Sequence, residues 1–175
     1  MGKRSTFERI PRDYYPTPME AVRPLIPHLE HSHFVEPCAG NGVLIDHLKA
    51  AGFRCVDAFD IHPMRHDIRM KDAMKATSSL CDGDCIITNP PWDRKILHPM
   101  IEHFSALRPT WLLFDADWMH TKQSAPFMPW LRKVVSVGRV QWIPDSKMTG
   151  KDNCAWHLFD QHSGGPTEFH GRAAQ

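Results

Sequence analysis

The chain has 175 residues, a length suited to one domain, and at 42% hydrophobic and 23% charged it carries enough apolar material for a real core. Its formal net charge of +1 announces no global attraction to nucleic acid, so any basic surface must be local. No apolar run approaches the ~18 residues of a spanning helix, no secretory signal opens the chain, and five scattered cysteines suit free thiols in a reducing, cytoplasmic setting better than a disulfide framework.

Residues 1–12 carry Lys3, Arg4, Arg9 and Arg12 with little periodicity. A solvated basic tail is one reading, and an arm contacting phosphates is the other. The domain proper is expected over residues 13–161. Thr17 is a good helix N-cap, Pro18 suits the first helical position, and Glu20 completes a capping box. Val22, Leu25, Ile26 and Leu29 form an apolar stripe, which Pro24 and Pro27 should keep short or kinked. Tyr14 and Tyr15, just before the cap, either line a site or simply pack.

Phe34 and Val35 begin a strand that runs into Glu36, Pro37, Cys38, Ala39, Gly40, Asn41 and Gly42. A helix follows, with Leu44, Leu48 and Ala51 on one face and Gly52 as its C-cap. Strand, glycine loop and helix together make a place where backbone can approach a ligand and free N–H groups are on offer. A lone Gly-x-Gly is a weak signal. The dinucleotide fingerprint needs a third glycine where Ile45 stands, and the Gly-Lys-Ser/Thr ending of a phosphate loop is absent. The second strand, from Cys55, ends at Asp60 and Ile61, where an α/β nucleotide site places its ribose-binding acid. Ile68, Arg69 and Met70 suggest a short third strand before Lys71, Asp72 and Ala73; Asp72 either accepts from an adenine amino group or caps a surface turn. His62 with His66, and Cys81 with Cys85, lack the second matching pair that a metal site needs, so no metal is expected.

The apolar run Cys85-Ile86-Ile87-Thr88 is a buried strand, and Asn89-Pro90-Pro91-Trp92 stops it, since neither proline has an N–H for the ladder. The Asn89 side-chain oxygen and the Pro90 carbonyl can accept from an exocyclic amino group. Trp92 offers a face for a planar substrate, where stacking is worth roughly 1–3 kcal/mol per base. Two acceptors gripping the amino hydrogens favour a tetrahedral nitrogen with an available lone pair. The competing reading is an ordinary strand-end turn with a buried tryptophan. Ile96, Leu97, Met100, Ile101, Phe104 and Leu107 then mark an amphipathic helix. Further strands are expected at 111–114, at 134–137 and 139–143 around Gly138, and at 154–159, with a short helix in the 120s, a polar loop at 144–153 and a C-terminal tail at 162–175. Strands alternating with helices predict an α/β fold, a Rossmann-like doubly wound, mostly parallel sheet, with the glycine loop, Asp60, Asp72 and Asn89 at carboxyl ends of strands.

With those residues placed, the chain resembles a class I S-adenosylmethionine-dependent methyltransferase of the amino-methylating kind. Glu36 to Gly42 resembles the first motif, around the methionine part of the cofactor. Asp60, with Ile61, matches the ribose-binding acid, and Asp72, with Ala73, falls where the cofactor adenine is contacted. Asn89-Pro90-Pro91-Trp92 matches the catalytic Asp/Asn-Pro-Pro-aromatic motif, and Thr17-Pro18 resembles the Thr-Pro motif of gamma-type N6-adenine DNA enzymes. The resemblance implies S-adenosyl-L-methionine as cofactor, Tyr15, Thr17 and Pro18 beside it, and a nucleic-acid partner, DNA favoured over RNA. It extends the substrate side to Trp118, Lys147 and Lys151. Enzymes of this type usually carry a separate target-recognition domain, for which this chain has only the loop at 144–153 or a protein partner. A short or relaxed target sequence follows. Pro37-Cys38 superficially resembles the nucleophile motif of cytosine C5 enzymes, but it sits in the glycine loop and not in the target-base turn. The other functions in view are RNA N6 methylation, methylation of a protein glutamine amide, and a catalytically silent binding subunit.

Overall fold

A computed structural model describes residues 14–77, 83–143 and 150–172. Among the described residues, eight strands make one sheet: β1 (His33–Glu36), β2 (Arg54–Asp60), β3 (Arg69–Met70), β4 (Cys85–Thr88), β5 (Thr110–Asp115), β6 (Leu131–Gly138), β7 (Cys154–Phe159) and β8 (Glu168–His170). Their spatial order is β3-β2-β1-β4-β5-β7-β6-β8. Only β7 runs antiparallel to its neighbours β5 and β6; the other pairs are parallel. The α/β doubly wound architecture is thus observed, with a short extra strand at the β6 edge.

The sheet is covered on both faces. Phe34, Ile87, Leu113 and Trp156 point to the layer made by α1 (Met19–Val22) and α2 (Val43–Ala50). Their sequence neighbours Val35, Ile86, Leu112 and Ala155 point to the layer of α3 (Arg94–Leu107). That period of two is what a pleated strand with two buried faces requires. A fully buried large apolar side chain contributes about 1.5–3 kcal/mol, so the centre of the sheet carries the fold. The edges do not: Met70 on β3 is 76% exposed and Phe169 on β8 is 66% exposed.

Three expectations need correction. Thr17 is not the helix cap: Pro18 is, without a side-chain bond, while the Thr17 hydroxyl accepts from Asn89 and the Glu20 carboxylate from the Gln141 N–H at 2.6 Å. A four-residue helix offers little cooperative gain, so tertiary partners win both side chains. The short helix expected in the 120s is present as the 3-10 helix Lys122–Trp130, since Pro126 and Pro129 lack the N–H that an α ladder needs. Residues 139–143 are not strand: β6 stops at Gly138, whose φ of 90° turns the chain out of the sheet. Residues 162–175 are not simply a tail, because β8 pairs with β6 from Lys133↔Glu168 to Val135↔His170, and the Lys133 ammonium lies 3.6 Å from the Glu168 carboxylate. Three residues are too short for a hydrophobic pattern to show. Among the described residues, no helix is long and apolar enough to cross a membrane.

Candidate active site

The chain runs outward from β1 through β2 to β3, then returns to place β4 on the other side of β1. Such a reversal opens a crevice at the carboxyl ends of the two strands, where open α/β sheets bind ligands. The loop after β1 holds the glycines, and the turn after β4 holds Asn89.

The glycine loop is built from main-chain bonds and one carboxylate. Ala39 N–H donates to the Phe59 carbonyl at 3.1 Å, and Met64 N–H to the Gly40 carbonyl at 2.9 Å. Asp60, at the end of β2, accepts from Gly40 N–H at 2.8 Å and His62 N–H at 2.7 Å. Gly40 and Gly42 have φ of 51° and 75°, and both also need the space. A Cβ on Gly40 would meet the Tyr14 ring at 2.8 Å; one on Gly42 would collide with the Arg65 guanidinium. Arg65 clamps this corner, bonding Asp46 at 2.8 Å and Asp67 at 2.6 Å. Ile61 stands exposed beyond Asp60, and Ala73 is buried beside Asp72. One Asp72 oxygen caps the turn Ala73–Lys75 by accepting from Met74 N–H at 3.0 Å.

Two groups of the loop are strongly perturbed. Glu36 is 2% exposed and its Oε2 has no hydrogen-bond partner among the described residues. Burial, reinforced by Asp60, raises its carboxyl well above the ordinary range, so it tends to keep its proton. Burial and then Asp60 also push the Cys38 thiol up, the reverse of what a nucleophilic cysteine needs.

The facing half is drawn from distant segments. Asn89 Nδ2 donates to the Tyr15 carbonyl at 3.3 Å and to Thr17 Oγ1 at 3.2 Å. Asn89 Oδ1 accepts from the Trp92 indole N–H at 3.3 Å, which also donates to the Leu113 carbonyl at 3.1 Å. Trp92 is half-buried and edge-on to Trp142, with ring centroids 5.8 Å apart; Tyr15 meets Trp142 at 6.2 Å. Beside them opens a cleft of about 340 Å³ lined by Pro16, Thr17, Pro18, Glu20, Val43, Gln141 and Trp142. The structure therefore brings the strap at 14–18 and Trp142 to Asn89. The one sequence signal for Trp142 is Gly138, which ends β6 and lets the following residues swing over the cleft.

Trp118 does not belong to this site. It is 1% exposed, donates its indole N–H to His98 Nε2 at 2.9 Å and packs edge-on against Phe114 and Phe159. The ring folds down into the α3 layer. Lys151 is exposed beside Gly150, which approaches Trp142 within 3.2 Å of a notional Cβ. Lys147 lies outside the described residues, as do Lys3, Arg4, Arg9 and Arg12.

No family model and no curated protein sequence matches the chain. Solved structures do match. A provisionally assigned RNA methyltransferase of Pyrococcus horikoshii aligns with TM-score 0.54 at 15% identity over 85% of this chain and 87% of its own. A provisionally assigned class I S-adenosylmethionine-dependent methyltransferase of Listeria monocytogenes gives 0.53 at 7% identity, over 89% and 63%. The chain has a class I methyltransferase fold. A provisionally assigned haemolysin of Lactococcus lactis shares that fold, at 0.57 and 8% identity over 88% and 91%. At such identities the likeness speaks for the methyltransferase fold alone, and the reaction has to be argued from the residues in the crevice.

Proposed function

We propose that this protein is an S-adenosylmethionine-dependent methyltransferase acting on the N6 amino group of adenine, with DNA as the favoured substrate. The observation that carries the reading is the placement of Asn89 at the switch point, its amide oxygen turned to the side of Trp92, after a strand that pairs with the one leading into the glycine loop closed on Asp60.

The residues of the loop suit the cofactor. Asp60 has about four acceptor sites and uses two of them on N–H groups, leaving capacity for ribose hydroxyls. Gly40 and Gly42 leave backbone without Cβ atoms, and the orphaned Glu36 oxygen awaits a polar partner. Ile61 and Asp72 with Ala73 would flank the adenine part, and Tyr15 and Pro18 would close the methionine side. The cofactor supplies a methyl group on a positively charged sulfur. The protein's part is to hold the acceptor nitrogen. Asn89 Oδ1, with one lone pair already facing Trp92, and the Pro90 carbonyl would grip the two amino hydrogens, favouring a tetrahedral nitrogen. Trp92 and Trp142 would confine a flat ring, which must be single-stranded or flipped from the duplex. Positioning of this kind, and not acid–base chemistry, is expected to provide most of the rate.

DNA is favoured because the order Thr-Pro, glycine loop, Asn-Pro-Pro-Trp resembles the gamma-type DNA enzymes. RNA is the second reading, favoured by the likeness to the Pyrococcus protein. Reading several base pairs needs a surface beyond the pocket, so a short or relaxed target sequence, or a protein partner supplying recognition, goes with this proposal. Calorimetry should show binding of S-adenosylhomocysteine and none of NAD. Tritiated methyl offered with DNA, RNA and protein should enter DNA. Tighter binding of NAD, or label only in protein, would contradict the reading.

A further inference from the structure

We infer that Thr17 is the positioning residue that anchors the Asn89 amide in place, its sense being set by the Tyr15 carbonyl and the Trp92 N–H. The inference rests on the amino-transfer reading of Asn89 and adds to it a residue from the N-terminal strap. A carboxamide has an acceptor on one side and two donors on the other, and only the acceptor side can hold an amino group. Three partners surround this one. Nδ2 donates to Thr17 Oγ1 at 3.2 Å and the Tyr15 carbonyl at 3.3 Å, and Oδ1 accepts from the Trp92 N–H at 3.3 Å. Turning the amide over would set oxygen against the Tyr15 carbonyl oxygen and NH₂ against the indole N–H.

The three partners are not equivalent. The Trp92 N–H also has the Leu113 carbonyl at 3.1 Å, so it does not depend on Asn89. The Tyr15 carbonyl is main chain. Thr17 is the side chain that bonds Nδ2, and at 4% exposed it leaves little room for water to replace its hydroxyl. Thr17 is itself held. Pro16 and Pro18 fix φ on either side, Trp156 Nε1 donates to the Ala21 carbonyl at 2.8 Å, and Gln141 N–H donates to Glu20 at 2.6 Å. The hydroxyl that could have capped α1 bonds Asn89 instead. The strap thereby transmits the position of the sheet to the amide.

The test uses the ¹⁵N-labelled full chain, with the Asn89 side-chain amide signals assigned by their loss in Asn89→Ala. Thr17→Val should shift that pair and speed its hydrogen exchange while the rest of the spectrum stays folded; Thr17→Ser should restore both. In methyl transfer to unmethylated plasmid DNA, Thr17→Val should lower kcat about 10- to 100-fold, the scale of a small misplacement. Calorimetric affinity for S-adenosylhomocysteine should fall far less than kcat, since the hydroxyl is turned to Asn89, and Thr17→Ser should recover most of the rate. Unaltered Asn89 signals in Thr17→Val overturn the inference. So does a loss of S-adenosylhomocysteine affinity at unchanged kcat, which would make Thr17 a cofactor contact. A wild-type chain that transfers methyl to neither DNA nor RNA counts against the amino-transfer reading, and the amide signals still decide the role of Thr17.

Discussion

The two sides of the crevice are assembled differently. The glycine-loop side comes from neighbouring stretches of chain: β1, its loop, and the end of β2, joined by the Gly40–Asp60 bond across 20 positions. The Asn89 side joins segments far apart, with 72 positions separating Thr17 from Asn89 and 74 separating Tyr15 from Asn89. The first side is local and main-chain-built, so it should tolerate changes elsewhere. The second depends on the sheet, the strap and the chain after β6 all being in register.

The largest expected effect lies on the second side. Asn89→Ala should lower turnover by ~10²–10³, by analogy with removal of one oriented transition-state group, while S-adenosylhomocysteine affinity stays intact. A variant keeping half the wild-type rate would remove Asn89 from the chemistry. On the first side the reverse split is expected. Asp60→Ala removes a charged acceptor worth about 1.5–3 kcal/mol, so affinity for S-adenosylhomocysteine should fall by roughly 10- to 100-fold in calorimetry. If both variants lost affinity equally, the two sides would not be separable.

That contrast also explains what the sequence made legible. Each strand of the sheet's centre carried enough apolar residues to be seen, and the glycines, Asp60 and Asn89 fell at carboxyl ends of strands as the α/β pattern demands. Trp142 was hidden because the apolar Val140, Trp142 and Ile143 together look like strand. Only the left-handed Gly138 takes them out of the sheet. Thr17 and Glu20 looked like a capping box because local rules see only local partners, whereas Asn89 and Gln141 are distant ones. Trp118 looked like a site residue for the same reason: nothing in its own stretch reveals that His98, 20 positions away, accepts its N–H.

Smaller effects come from two buried titratable groups, His157 on β7 and Glu36 at the end of β1. His157 on β7 is fully buried and stacked on Phe114 at 3.9 Å. Burial drives its pKa down to about 3, with the nearby backbone of Leu112 and Ala155 offsetting only part. The folded value lies below the ordinary 6.5, so the unfolded chain takes up the proton first. The stability due to neutral His157 is intact above pH 6.5 and is lost as pH falls toward 3. At pH 5 the loss should be about 2 kcal/mol. Urea melts at pH 7.5 and 5 should show it in the wild type and show much less in His157→Leu; equal acid sensitivity would assign the effect elsewhere. Glu36 has the opposite sign. Its raised value means that its stability contribution is present below about the ordinary 4.5 and is lost as pH rises through the folded value. Glu36→Gln should therefore raise Tm at pH 8 and leave it unchanged at pH 4. A lowered Tm at pH 8 would mean that the carboxylate is stabilised where it sits.

The central claim is that the turn after β4 presents an amino group for methylation. Its most direct test is the chemical position of the transferred methyl. DNA incubated with the protein and S-adenosylmethionine should be digested to nucleosides and analysed by mass spectrometry, beside an Asn89→Ala control. N6-methyladenine in the wild-type digest, and almost none in the control, is the expected result. A methyl found on a ring carbon such as cytosine C5, or equal N6-methyladenine in both digests, would contradict the account.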